Sequence, residues 1–200
     1  MKSNRRLFLM FFASIALLRF QQHKFSVNAE ESKNWFDEVT STVKGAVKFV
    51  DDVRTVLKKQ GTEIDREKIK PSISELNTSV NVLLASLVNL RDYTGRRDSK
   101  DSVIASRAAD LGPKMNRLIL SMEDLFKRMS RYDTALEKHR GIIYQLVSLR
   151  GGTVDRIRTI AIRPGGSKVD RRALGSELNT AIKISNTLLQ SVQGLIKELG

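Results

Sequence analysis

Cysteine is absent from the 200-residue sequence, and proline occurs only three times. Without thiols there is no disulfide framework, so the fold has to stand on an apolar core. About 170 residues are enough to build one. A cysteine-free chain also suits a secreted protein that finishes in a reducing compartment, such as the cytosol of another cell. Two histidines, His23 and His139, leave little material for metal or acid–base chemistry. The acid pairs Asp51-Asp52 and Glu123-Asp124 are adjacent in sequence, so on a helix they diverge by about 100° and do not converge on one proton. No H-E-x-x-H, G-x-S-x-G or G-x-x-x-x-G-K-[ST] spacing occurs. The sequence therefore gives no catalytic residue, no metal ligand set and no cofactor site, and we expect a protein that is not an enzyme.

Long apolar runs are also scarce. The single one, Leu7 to Leu18, follows Lys2, Arg5 and Arg6 and is too short to span a bilayer. Basic residues followed by about a dozen apolar ones form the pattern of a secretory leader. Val27 and Ala29 put small residues where a signal peptidase reads, so residues 1–29 are expected to be the leader and 30–200 one domain. An uncleaved signal anchor is the alternative, because "RFQQHKFSVNA" lengthens the gap to the cleavage site. Lys2, Arg5, Arg6, Arg19 and Lys24 would leave with the leader, lowering the net charge from +13 to +8. A secreted chain of that charge is expected to meet acidic partners.

What the sequence does contain is helical periodicity. Four segments place apolar residues three or four apart, each in one phase. The first runs Phe36, Val39, Val43, Ala46, Val50, Val53, Leu57. The second runs Ile69, Ile73, Leu76, Val80, Leu83, Leu87, Leu90. The third runs from Ile104 to Leu146 through Met115, Met122, Met129 and His139. The fourth runs from Leu174 to Leu199. Period-two alternation is hard to find, so the fold class is all-α: an antiparallel bundle of four to five amphipathic helices with coiled-coil-like seams. The helices are expected at 33–59, 71–94, 99–149 and 168–199. Pro71 with Ser72 and Glu75 reads as a helix start, and Ser167 with Asp170 as a second. The third segment, run straight, would reach about 76 Å against about 40 Å for the first. It is therefore expected to kink or split, at Leu111-Gly112-Pro113 or between Arg131 and Gly141.

Binding is expected at the basic connector 150–172, punctuated by Gly151-Gly152 and Pro164-Gly165-Gly166. Its cations are Arg150, Arg156, Arg158, Arg163, Lys168, Arg171 and Arg172. Arginine's planar fork suits phosphate and sulfate oxygens. "TVDRIRTIAI" within it has the spacing of a short helix. Aromatic residues are missing from this stretch, so base stacking has no platform there, and sequence-specific nucleic-acid recognition is not expected. Arg96, Arg97 and Lys100 form a smaller basic turn. With simple up-down connectivity of four rods it falls at the opposite end and does not join the connector. Asn77-Thr78-Ser79 is a glycosylation triplet within a helix. His139 reads as a seam-edge histidine bonded to a neighbour, and the Met115, Met122, Met129 stripe as core filler.

The sequence admits three functional readings. The first is a secreted, effector-like interaction module whose basic connector binds a sulfated glycan, an anionic lipid headgroup or an acidic protein surface. The second is a lipid-carrying bundle active at the membrane surface. The third is a homo-oligomeric coiled coil.

Overall fold

The structure, a computed structural model, describes residues 29–59, 64–161 and 168–199. The leader expected at residues 1–29 lies outside the described residues as far as residue 28, as does Arg163. The chain divides after Asn34, and the helical bundle is the unit from Trp35 onward.

Every regular element among the described residues is helical: α1 (Ala29–Lys59), α2 (Arg66–Thr94), α3 (Asp101–Ala109), α4 (Leu111–Met129), a 3-10 turn (Thr134–His139), α5 (Arg140–Ala161) and α6 (Arg171–Lys197). The chain is all-α. No helix of the described residues is long and apolar enough to cross a membrane.

The seams form the core. All seven apolar positions of the second segment, Ile69 to Leu90, are buried. So are Ala46, Val50, Val53 and Leu57 of the first, and Leu174, Leu178, Ala181, Leu188, Val192 and Leu195 of the fourth. Met122 and Met129 are buried and Met115 is half-buried against the core, so the methionine stripe is core. Burying a Leu or Ile side chain is worth about 1.5–3 kcal/mol each. These continuous seams therefore dominate the stability of the fold.

The long third segment breaks at both expected places. Asp110, at φ −69° and ψ −12°, separates α3 from α4. Pro113 explains the position: it has no N–H for the carbonyl of Ala109, four residues back, and its ring crowds that oxygen. The second break reverses the chain. Asp133 caps the 3-10 turn, its Oδ1 accepting from the Ala135 N–H at 2.8 Å. Cross-contacts give the directions. Ser121 meets Ser79 at 2.9 Å, Asp124 accepts from Ser72 at 2.5 Å, and Arg128 reaches the Lys68 carbonyl at 3.3 Å, so α4 runs antiparallel to α2. Ile142 packs on Gly45, while His139 meets Asp52, so α5 runs antiparallel to α1. Asp51 meets Ser191 at 3.1 Å and Arg54 meets Glu198 at 2.7 Å, so α6 runs parallel to α1. The rods alternate in direction along the chain, with α3 and α4 sharing one.

Three boundaries differ from expectation. Helix α2 starts five residues before Pro71, because Asp65 caps it, accepting from the Lys68 N–H at 3.3 Å. Pro71 sits in the second turn, where few backbone bonds are lost. Ser72 and Glu75 do not cap; they bind α4 through Asp124 and Arg117. At α6 the cap is Asp170 itself, accepting from Ala173 N–H at 3.0 Å, so the helix begins at Arg171 and not at 168. Finally, 150–172 is not one connector. Helix α5 continues through Gly151-Gly152 to Ala161. Two glycines cost a helix about 1 kcal/mol each. Burial of Ile157 and Ala161, with Ile160 half-buried, offsets that. Residues 162–170 separate α5 from α6, and of these 168–170 are described.

Candidate functional site

Two connectors lie at one end of the molecule: 95–100 between α2 and α3, and the described part of 162–170 between α5 and α6. Four contacts of one guanidinium join them. Arg171 Nη1 donates to Ser99 Oγ at 2.5 Å and to the Arg96 carbonyl at 3.3 Å. Its Nη2 donates to the Ser99 carbonyl at 2.7 Å and to Asp101 Oδ1 at 3.1 Å. The other Asp101 oxygen accepts from the Val169 N–H at 3.0 Å. That backbone N–H, with Arg171 and the charge of Lys168, holds the Asp101 carboxyl below the usual carboxylate range. Ser99 is buried beneath this junction and donates to the Arg96 carbonyl at 2.8 Å.

Tyr93 braces the first connector from below. Its hydroxyl accepts from the Lys100 backbone N–H at 3.1 Å. Arg107 lies over its ring at 4.4 Å, and Arg96 approaches the ring at 5.9 Å.

Around this junction are two adjoining clefts. The larger, about 810 Å³, is lined by Arg97, Ser99, Lys100, Asp101 and Lys168 to Arg171. The smaller, about 510 Å³, is lined by Arg91, Thr94 to Arg97, Arg171, Arg172 and Gly175. Together their walls carry seven Arg or Lys side chains and two acids, Asp101 and Asp170. Both acids are engaged, Asp101 by Arg171 and Val169, and Asp170 as the α6 cap. Arg91 pairs with Asp92 at 2.7 Å. Arg96, Arg97, Lys100, Lys168 and Arg172 are exposed and bridge no carboxylate among the described residues. Two helices start at this end and two finish there, so helix dipoles roughly cancel and the side chains set the sign of the field.

The expected site residues divide. Lys168, Arg171 and Arg172 belong to this end. Arg150, Arg156 and Arg158 lie on α5, in a helix instead of a flexible connector, and their side chains lie outside the described residues. Arg171 is a tie between connectors, which gives its unfavourable place in a first helical turn a structural use. The expectation that Arg96, Arg97 and Lys100 sit at the opposite end is wrong. It treated the third segment as one rod. Folding that segment back on itself adds a reversal, and the reversal moves the α5–α6 connector to the end that already holds 95–100. The signal was present: a segment about twice as long as its partners has to double back.

Elsewhere, Asn77 is half-buried in mid-α2, and Ser79 of its triplet is buried against Ser121. His139 is 2 % exposed; its Nε2 lies 2.8 Å from Asp52 Oδ2 and its ring meets Phe49 edge-on at 5.6 Å. Among the described residues no group of three His, Asp or Glu is placed to hold a metal. The exposed large apolar side chains there are Leu120, Tyr144 and Ile196. Comparison with protein-family models, with curated proteins and with solved structures finds no match for this chain.

Proposed function

We propose that the chain is a secreted, non-enzymatic interaction module and that its basic end engages an acidic partner, a polyanion in the first instance. The observation that supports this is the meeting of the two connectors. It gathers five exposed cations, without carboxylate partners among the described residues, around two clefts, on a junction fixed by Arg171, Ser99 and Asp101. Like charges held together raise the free energy of the unliganded end, and an anion relieves that cost. At the opposite end Arg54 and Lys58 both meet Glu198, at 2.7 and 3.2 Å; at this end Asp98, exposed within the 95–100 connector, bridges none of the five cations among the described residues.

Retention on heparin tests the proposal. Replacing Arg97, Lys168 and Arg172 by Ala should move elution to distinctly lower salt. Replacing Lys44, Lys48 and Lys183, three exposed lysines on α1 and α6, removes the same net charge and should move it little. Equal shifts in the two triple variants would mean that overall charge, and not this end, governs retention.

A further inference from the structure

We infer that the basic end is a two-lobed receptor for a ligand carrying two closely spaced phosphate-type groups, with Arg97 standing between them. The inference rests on the polyanion reading and narrows it to a ligand class.

Arg97 and Arg171 line both clefts, and only these two do. The guanidinium of Arg171 is already bonded to Ser99, Asp101 and the Arg96 carbonyl, so it fixes the partition between the lobes and adds charge. Arg97 has no such engagement among the described residues and is exposed, so its donors are available to either side. The larger lobe adds Lys100 and Lys168 to Arg97. The smaller adds Arg96 and Arg172. The two lobes therefore share five cations that bridge no carboxylate among the described residues, Arg97 counted once.

That number matches a pair of phosphate monoesters better than a pair of sulfates. A monoester carries close to two negative charges at pH 7, whereas a sulfate ester carries one. In the smaller lobe the free cations are all arginine, whose planar fork donates to two phosphate oxygens at once. Among the described residues none of the exposed large apolar side chains lines either cleft, so the contacts offered there are to an anionic head.

The test is titration calorimetry of the full chain with an inositol bisphosphate and with the corresponding monophosphate. The bisphosphate should bind at least about tenfold more tightly, the worth of a second set of charge-assisted hydrogen bonds. Arg97→Ala should cost the bisphosphate more than either single-lobe change, Lys168→Ala or Arg172→Ala. Lys183→Ala, on the flank of α6, should cost less than about twofold. Flotation with phosphatidylcholine vesicles, with and without a phosphoinositide bisphosphate, identifies the source. Capture by the vesicles shows a membrane headgroup is accessible; binding of the free compound alone shows a soluble ligand.

Equal affinity for the two phosphates, or a Lys183→Ala loss as large as that of Arg97→Ala, overturns the two-lobed site. If heparin retention still depends on this end in that case, the polyanion reading survives without it. If heparin retention is also indifferent to this end, both fall together.

Discussion

Removing the Asp52 carboxylate should cost more stability than any other single ion-pair change among the described residues. His139 is buried, its Nε2 faces Asp52 at 2.8 Å, and its Nδ1 is buried with no hydrogen-bond partner. In Asp52→Ala both ring nitrogens would be dry and unpaired. A buried donor stripped of its acceptor costs about 1–3 kcal/mol. The same change releases Lys138, whose ion pair with Asp52 at 2.7 Å is half-exposed and worth about 1 kcal/mol or less. The sum is about 1–4 kcal/mol. At about 2–4 °C per kcal/mol for a domain of this size, Tm should fall by about 2–16 °C. Lys138→Ala should lose no more than about 4 °C by the same conversion, and Asp52→Asn, which keeps an oxygen for Nε2, should fall between them. Burial by itself would raise the Asp52 carboxyl, but hydrogen bonds from Lys138 and His139 outweigh it and hold the group below the usual carboxylate range. A depressed carboxyl contributes stability that is complete above its unfolded value, near pH 4, and is lost as pH falls through the folded value. The gap between wild type and Asp52→Ala should therefore narrow below about pH 4. Thermal unfolding followed by circular dichroism reads all of this. Were Asp52→Ala no less stable than Lys138→Ala at pH 7, the buried pairing would carry none of the assigned energy.

Two further substitutions probe the packing. A Cβ on Gly45 would stand 2.9–3.1 Å from three side-chain carbons of Ile142, whereas one on Gly175 meets nothing within 4 Å. Gly175→Ala should stabilise by up to about 1 kcal/mol through helix propensity, while Gly45→Ala should destabilise and be rescued by adding Ile142→Ala. Leu90 is fully buried and Leu120 is 57 % exposed. Leu90→Ala should cost about 2–5 kcal/mol in urea unfolding, and Leu120→Ala no more than about 0.5 kcal/mol.

The helices were legible because one apolar residue per turn leaves a seam that has to be covered, and the seams of α2 and α6 are buried nearly as spaced. Starts and stops were less so. Asp65 and Asp170 cap their helices, but local signals at Pro71 and Ser167 looked as good, and only tertiary burial decides between such starts. Gly151-Gly152 looked like a stop, yet Ile157 and Ala161 reach the core and carry α5 past it. The cations of the site were visible as two separate turns. Their meeting was not, since it depends on how many times the chain reverses between residues 100 and 168. The tie from Arg171 to Ser99 and Asp101 spans about 70 residues of sequence, and no local pattern announces it.

The most direct test of that meeting is a distance. The chain has no cysteine, so Lys100→Cys and Lys168→Cys can carry a pair of spin labels without background. Double electron–electron resonance should give a separation of roughly 20 Å or less, since both positions line one cleft. A separation of about 40 Å, the length of a 27-residue helix such as α6, would place the connectors at opposite ends and contradict the account.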